Sequence, residues 1–203
     1  MRHLFEVELL LRRQLDEVVK WHRNPFDAGT FSEFVHLVSA QHYTNFELWH
    51  QEDRARDPET SDSTVAEIKR TIDRLNQKRN DQIEALDEWL LRGMENLNVE
   101  TESDARLNSE TPGNLIDRLS INALKIYHMD EETRREKASR EQREKCEVRL
   151  GILKEQREDL GKCLDELIGD LETGRKILKV YRQLKMYNDP SLNPVLHKKS
   201  ESR

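Results

Sequence analysis

Glycine and proline are scarce in this chain. Only 7 glycines and 5 prolines occur in 203 residues, and no segment sustains the alternation of apolar and polar residues, rich in Val, Ile and Thr, that is typical of strands. A β-rich fold is therefore excluded. The sequence predicts an all-α protein in which the few glycines and prolines lie where helices begin or end.

Long apolar runs and an excess of basic residues are also missing. No window approaches the length of a membrane span, and the N-terminal leucine run is too short and too charged for a signal peptide. The 34 Lys and Arg residues are interleaved with 40 Asp and Glu residues, so no broad basic face is available for a phosphate backbone. We expect a soluble protein with no membrane span and no nucleic-acid partner.

Cysteine occurs only twice. Cys146 and Cys163 are 17 residues apart on one predicted helix, which at about 1.5 Å per residue separates them by roughly 25 Å. That distance is too long for a disulfide bond. Reduced thiols are typical of the cytoplasm, where we expect the protein to reside.

Apolar residues at spacings of three and four divide the chain into helices. The predicted helices cover residues 4–23, 31–56, 64–92, 111–128 and 131–185. Gly93 is the predicted stop of the third helix, Thr111 and Pro112 open the fourth, and the last helix is interrupted near Gly174. The expected fold is a single-domain bundle of five or six helices over residues 1–190, with an extended or disordered tail over residues 191–203.

The long C-terminal helix carries a heptad stripe typical of coiled coils. Its leucines include Leu150, Leu153, Leu160, Leu164, Leu167 and Leu171. In a chain with only 35% hydrophobic residues, such a stripe often completes its core across subunits, which predicts a homodimer. The front of this helix, residues 131–145, has almost no apolar residue and is predicted to be a solvated spacer or a partner surface.

The second predicted helix contains Glu-x-x-His, formed by Glu47 and His50. This spacing supplies half of the ligands of a carboxylate-bridged di-metal site in a helical bundle, which needs two such motifs and two more glutamates. A second motif is missing, because the position three residues before His128 is Lys125, a cation. Three interpretations stay open: a mononuclear metal site using His50, Asp53 and carboxylates from another helix, a non-metal ligand site, and ordinary hydrogen bonding on a helix surface or between helices.

A polar stripe on the third helix predicts a cleft between the second, third and fourth helices. Asparagine is unfavourable inside helices, so its presence beside several carboxylates suggests more than a solvated face, and Arg79 lies within the neighbouring apolar stripe. The members of the polar stripe are Asp73, Asn76, Asn80, Glu84 and Asp87. The candidate cleft residues are Glu47, His50, Asp53, Asp73, Asn76, Arg79, Asn80, Glu84, Asp117, Arg118 and His128.

A short repeat links the third and fourth helices. The sequence IDRL occurs at residues 72–75 and again at residues 116–119. If the two helices pack antiparallel, the repeat predicts reciprocal ion pairs, Asp73 with Arg118 and Arg74 with Asp117.

Two further polar positions have structural interpretations. His42 lies on the apolar stripe of its helix and is predicted to be a hydrogen-bonded core histidine. The N-terminus of the fourth helix offers free N–H groups to an anion, although capping with help from Glu110 is the favoured interpretation. The sequence contains no glycine-rich phosphate loop, Cys-His metal spacing or nucleophile elbow.

Four segments together resemble a bacterial family known as domain of unknown function 4254. The segments are NFELWHQEDRAR, IDRLNQKRND, NSETPGNLIDRLSI with LKIYHM, and YRQLKMYNDPSLNP, in that order between Asn45 and Pro194. The resemblance implies a bacterial, helical protein and points to an accessory role in envelope glycan pathways. It implies no catalytic residues.

Two functions are therefore expected from the sequence. The first is a binding or scaffold protein whose partner, a protein or a small phosphorylated ligand, occupies the polar cleft. The second is a small metal-dependent enzyme acting on a phosphorylated or nucleotide-linked substrate. In the enzyme, Glu47, His50, Asp73 and Glu84 would be metal ligands or acid–base groups. Arg79 and Arg118 would then hold the phosphate.

Overall fold

The computed structural model describes residues 4–24, 32–180, 182 and 191–194. Within these residues the chain forms five helices and two strands of two residues each, which confirms the all-α bundle with a long C-terminal helix. The helices are α1 (Val7–Trp21), α2 (Glu33–Arg56), α3 (Asp62–Asn96), α4 (Pro112–Thr133) and α5 (Arg140–Glu172). The strands β1 (Arg106–Leu107) and β2 (Lys176–Ile177) pair in parallel. None of the helices in this part of the chain combines the length and apolar composition that a membrane span requires.

Helix α4 lies at the centre of the bundle and packs against each of the other four helices. Its predicted start is confirmed, because the side chain of Thr111 accepts a hydrogen bond from the backbone N–H of Asn114 and Pro112 occupies the first turn. Ile116, Leu119 and Ala123 on this helix are fully buried. A helix surrounded in this way must be apolar on most of its faces, so any polar side chain on it needs a partner inside the bundle.

The prediction that Gly93 ends the third helix is wrong. Helix α3 continues through Gly93 to Asn96, and a positive φ of 51° occurs later, at Asn98. A Cβ atom on Gly93 would lie 2.7 Å from a methyl carbon of Leu4. Glycine is therefore used here for close packing, where the sequence pattern suggested a helix stop.

The predicted helix over residues 131–185 is also wrong at its start, and residues 175–180 after its interruption are not helical. Helix α4 runs on to Thr133, a turn follows, and α5 begins at Arg140. Ser139 and Gln142 form reciprocal hydrogen bonds in a capping box, which is the local reason for the new start. The expected interruption near Gly174 is confirmed: α5 ends at Glu172, and Gly174 has a φ of 75°. Residues 181 and 183–185 of this predicted helix and residues 195–203 of the predicted tail lie outside the described residues.

The heptad stripe of α5 packs within the chain. Leu164, Leu167 and Leu171 are buried in the main core together with residues of the other four helices, and α5 contacts α1 and α4. The stripe therefore does not need a second copy to cover it, and the homodimer stays a prediction without support from this surface. Both cysteines are free, with Cys146 partly buried and Cys163 exposed.

Candidate functional site

A buried polar network joins α2 to the central helix α4. The side-chain nitrogens of Gln41 and Asn45 donate to the same carboxylate oxygen of Asp117, at 2.6 and 2.9 Å, and Asn45 also donates to the hydroxyl oxygen of Ser120 at 2.8 Å. Burial raises the pKa of Asp117, while the hydrogen bonds from Asn45 and Gln41 and the charge of Arg79 oppose that rise. The amides thus solvate a carboxylate that α4 presents to the interior.

His42 completes this network, as the core histidine predicted from its apolar stripe. Its Nε2 lies 2.9 Å from the backbone oxygen of Gln14, and its Nδ1 lies 2.6 Å from the hydroxyl oxygen of Ser120. Since a carbonyl oxygen only accepts, Nε2 carries the proton and Nδ1 accepts from Ser120. Burial lowers the pKa of His42 to about 3, so the ring is neutral. His42 and Ser120 are fully buried, and their hydrogen bonds therefore stabilise packing.

A polar cleft lies beside this network, between α2, α3 and α4. Its volume is about 320 Å³, which is at the small end of ligand-binding cavities. Helix α2 contributes Asn45, Leu48, Trp49, Glu52, Asp53 and Arg56, α3 contributes Asn76 and Arg79, and α4 contributes Ile121 and Leu124. The walls thus combine hydrogen-bonding groups of both charges with an indole and aliphatic surface.

Arg79 is the half-buried cation of the cleft. Its side chain is 28% exposed, and its Nε lies 3.9 Å from the nearer carboxylate oxygen of Asp117. That distance is too long for a hydrogen bond, and the Nε is buried without a hydrogen-bond partner among the described residues. Arg79 is therefore held near an anion that its Nε does not engage.

Three histidines converge beside the cleft. His22 follows α1, His50 lies on α2 and His128 lies on α4. One ring nitrogen from each of the three residues lies within 4.8 Å of those from the other two. The pKa of His50 is lowered, first by burial and then by the charges of His22 and His128, while Asp53 and Glu131 oppose the effect.

Aromatic side chains surround these three histidines. Tyr127 stacks on His22 with ring centroids 4.1 Å apart, and Trp49 stacks on His128 with centroids 4.8 Å apart and planes 7° from parallel. Phe46 packs edge-on against both His22 and His50. The rings are consequently held in defined orientations in a largely apolar surrounding.

The family assignment follows from comparison with known proteins. The family model described as Protein of unknown function (DUF4254) matches residues 35–180. The chain belongs to this family. No curated protein and no solved structure matches it. In this DUF4254 protein the match includes nearly all of α2 and the whole of α3, α4 and α5, and α1 with His22 precedes it.

The structure brings some of the predicted cleft residues together and separates others. Asp53, Asn76 and Arg79 line the cleft and Asp117 lies beside Arg79, whereas His50 and His128 belong to the histidine cluster. The remaining candidates face other partners or the surface. Glu47 is 3.9 Å from Lys78, Glu84 is 3.8 Å from Arg182, and Asn80 is partly buried on α3.

The reciprocal ion pairs predicted from the IDRL repeat are wrong. Asp73 is exposed and pairs with Lys69 at 2.7 Å, and Arg118 pairs with Glu110 at 2.8 Å. Arg74 donates to the hydroxyl of Thr71, while Asp117 is buried in the α2–α4 network. The two copies therefore lie in unrelated environments, because burial of Asp117 removes it from the surface that Arg74 occupies.

His22 is the site residue that sequence reasoning missed. It lies just beyond α1, where the apolar periodicity ends, so no pattern linked it to His50 or His128. A shared feature was available: each of the three histidines lies within the last two turns of its helix or directly after it. That feature is weak, because it does not tell which helix ends meet.

The N-terminus of α4 has an anionic partner of its own within the bundle. The backbone N–H of Gly113 donates to a carboxylate oxygen of Asp87 at 2.7 Å. Burial raises the pKa of Asp87 to about 6, although the hydrogen bonds from Thr111 and Gly113 oppose the rise. Asp87 thus takes the position that the sequence offered to an external anion, while Glu110 binds Arg118.

The raised pKa of Asp87 predicts the pH dependence of stability. The folded state binds the proton of the Asp87 carboxyl group more tightly than the unfolded chain does, because its pKa is about 6 in the fold and 3.8 in the unfolded chain. Protonation of Asp87 therefore stabilises the fold fully below about pH 3.8. This stabilisation is lost as the pH rises through about 6. An asparagine side chain at this position would accept the Gly113 hydrogen bond without a charge. We therefore expect the difference in the free energy of unfolding between Asp87→Asn and the parent protein to shift in favour of the variant by about 1 kcal/mol from pH 5 to pH 8. Urea unfolding at both pH values measures this, and an unchanged difference would contradict it.

Proposed function

We propose that this DUF4254 protein binds a small ligand that carries an anionic group, such as a phosphorylated sugar, in the cleft between α2, α3 and α4. Arg79 carries the proposal. It is a half-buried guanidinium in the cleft wall, 28% of its side chain is exposed, and its contact with Asp117 is 3.9 Å long. A guanidinium in this position binds a carboxylate or phosphate group of a ligand with little competition from the protein.

The carboxylate next to Arg79 is already satisfied. Asp117 accepts hydrogen bonds from Gln41 and Asn45 through the oxygen that is nearest to Arg79. It therefore helps to hold Arg79 by charge while leaving donors of the guanidinium for a ligand. Such preorganisation lowers the entropy cost that binding must overcome.

The other walls of the cleft favour a ligand with hydroxyl groups beside its anionic group. Glu52 and Asp53 lie 3.0 and 3.8 Å from Arg56, so their charges are partly neutralised and their oxygens can accept hydrogen bonds from hydroxyls. Asn76 adds an amide, and Trp49 adds apolar surface. A sugar phosphate has this combination of groups, and it agrees with the envelope glycan role expected from the family resemblance.

The proposal also includes the origin, the location and the general role of the protein. We place the protein in the bacterial cytoplasm, as a binding or accessory protein. The free thiols of Cys146 and Cys163 support that location. The competing enzyme required Glu47, His50, Asp73 and Glu84 to act together. Its three carboxylates each lie near a different cation, and His50 lies with His22 and His128 instead. We therefore propose binding as the function of the cleft.

Thermal unfolding with a ligand panel tests this proposal. The panel contains sugar phosphates, nucleotide sugars and the matching unphosphorylated sugars. A ligand at about 100 times its Kd stabilises the protein by roughly 2.7 kcal/mol, enough to raise Tm by a few degrees. We expect a rise only with phosphorylated compounds, and a Kd about 10- to 100-fold weaker in Arg79→Gln, corresponding to the roughly 1.5–3 kcal/mol of a hydrogen bond to a charged group.

The control is Lys78→Gln, which removes the neighbouring cation of α3. Lys78 is 53% exposed and does not line the cleft, so its replacement should leave ligand affinity unchanged. A panel without any shift would contradict the proposal of a small ligand and would favour a macromolecular partner. Equal affinity of Arg79→Gln and the parent protein would contradict the role of Arg79.

A further inference from the structure

A second site rests on the three converging histidines, independently of the cleft. His22, His50 and His128 come from three separate stretches of the chain, and one ring nitrogen of each lies within 4.8 Å of the others. Imidazole nitrogens at such distances can share one ion placed between them. Three histidines with one open position form a common protein ligand set of a catalytic zinc ion.

The hydrogen bonds of two of the rings determine which nitrogens are free. The Nδ1 of His22 lies 2.8 Å from the backbone oxygen of Val18, and the Nδ1 of His128 lies 2.9 Å from a carboxylate oxygen of Glu131. A carbonyl oxygen can only accept, so the proton of a neutral His22 is on Nδ1 and its Nε2 presents a lone pair. A carboxylate on Nδ1 favours the same arrangement in His128.

The Nε2 atoms of His22 and His128 provide a second observation that points to a metal ion, besides the convergence of the three rings. Both are buried, and neither has a hydrogen-bond partner among the described residues. A buried lone pair without a partner is unfavourable and uncommon in folded proteins. A metal ion bound to both Nε2 atoms would satisfy them together.

The surroundings have the features that support metal-binding histidines. Metal ligands of this type usually donate their second ring nitrogen to a backbone oxygen or a carboxylate. Val18 and Glu131 supply one of each. The stacking of Tyr127 on His22 and of Trp49 on His128 fixes the ring planes.

Only a small movement separates the present geometry from coordination. Zinc–nitrogen bonds of about 2.0–2.1 Å in tetrahedral geometry place the ligand nitrogens roughly 3.3 Å apart. Starting from separations of at most 4.8 Å, each ring must approach the centre by about 1 Å or less.

We propose that His22, His50 and His128 bind one divalent transition-metal ion of the zinc class. The all-imidazole ligand set selects Zn²⁺, Co²⁺, Ni²⁺ or Cu²⁺ over Mg²⁺ and Ca²⁺, which prefer oxygen ligands. Three protein ligands leave a fourth position for water or another donor. Trp49 connects this centre to the cleft, because it stacks on His128 and also lines the cavity.

Metal titration of the chelator-treated full-length protein tests the proposal. Zn²⁺ competition against a chromophoric chelator measures stoichiometry and affinity, and Co²⁺ absorption in the visible range reports tetrahedral coordination. We expect one equivalent of Zn²⁺ and intense Co²⁺ bands. Separate replacement of His22, His50 and His128 by Asn should weaken binding by at least about 100-fold, because each residue supplies one of the three protein bonds to the ion.

Two further variants separate loss of a ligand from loss of fold. Glu131→Ala leaves all three histidines in place, and this side chain is 53% exposed. It should weaken Zn²⁺ binding by about 10- to 100-fold while the circular dichroism of the metal-free protein stays unchanged. His36→Ala removes an exposed histidine of α2 and should have no effect on binding.

Several outcomes would overturn this site. Mg²⁺ binding as tight as Zn²⁺ binding would exclude an imidazole centre. Zn²⁺ binding that is retained in any of the three His→Asn variants would remove that histidine from the site, and binding lost equally in His36→Ala would show a nonspecific surface effect. Absence of Zn²⁺ binding by the folded parent protein would leave the cluster as aromatic packing.

Discussion

His42→Ala is expected to lower the free energy of unfolding by about 3–5 kcal/mol. The substitution removes a fully buried ring and two hydrogen bonds, one with Ser120 and one with the backbone of Gln14. It leaves a cavity beside Trp21, whose ring centroid lies 4.9 Å from that of His42. Large-to-small substitutions in cores cost about 2–5 kcal/mol, and the loss of buried hydrogen-bond partners adds to this cost.

The same substitution should change the pH dependence of stability. The pKa of His42 is lowered to about 3 in the fold by burial, whereas a histidine in the unfolded chain has a pKa near 6.5. The unfolded chain therefore binds the proton first as the pH falls. The stabilisation that neutral His42 provides is complete above about pH 6.5 and decreases toward about pH 3. Between pH 8 and pH 5 the cost of His42→Ala should decrease by about 2 kcal/mol.

Urea unfolding of the parent protein and the variant at both pH values measures these effects. His36→Ala is the matched control, because His36 is exposed on the same helix and surface substitutions usually change stability by less than about 0.5 kcal/mol. Histidine NMR provides an independent measurement. A ring signal of His42 that titrates near pH 6.5 in the folded protein would contradict the buried, neutral assignment.

Gly113→Ala is expected to cost about 1–3 kcal/mol. A Cβ atom at this position would lie 2.7 Å from the backbone oxygen of Ile83 and 2.8 Å from a carboxylate oxygen of Asp87. The backbone oxygen cannot move without shifting α3, so α4 must move away from α3. That movement also lengthens the hydrogen bond from the Gly113 N–H to Asp87. Overpacking of close helix contacts has costs of this size.

Gly151→Ala is the matched control and should have the opposite sign. Gly151 lies within α5, and apart from its chain neighbours and the backbone of its own helix, a Cβ atom there would have no heavy atom within 4 Å. Alanine is favoured over glycine in a helix by about 1 kcal/mol, so this variant should be more stable than the parent protein. Denaturant midpoints compare the two variants directly. If the midpoints of both variants shift in the same direction, the structural role of one of the two glycines has been assigned incorrectly.

Local signals located some helix boundaries correctly and missed others. Thr111 and Pro112 identified the beginning of α4, because capping uses side chains within one turn of sequence. Ser139 and Gln142 carry a similar local signal at the start of α5, but the longer heptad pattern hid it by suggesting one continuous helix. Gly93 misled for a different reason: its role depends on Leu4, a residue 89 positions away.

The sequence predicted some residues of the candidate site correctly and others incorrectly. The polar stripe of α3 and the inward position of Arg79 were visible in the sequence, and Asn76 and Arg79 do line the cleft. Asp73 belongs to the same stripe by periodicity, yet it is exposed and paired with Lys69. Periodicity gives the direction of a side chain around its own helix, and it gives no information on where the neighbouring helices end.

Composition and local patterns in the sequence were enough to establish the all-α class, the central positions of the helices and the family. These properties depend on composition and on contacts within a few residues along the chain. Three other features became visible only in the packed bundle: Asp117 is buried, Asp87 rather than an external anion meets the start of α4, and His22 lies beside His50 and His128. Each of these contacts joins residues at least 26 positions apart, so it depends on how helices pack, which local periodicity does not specify.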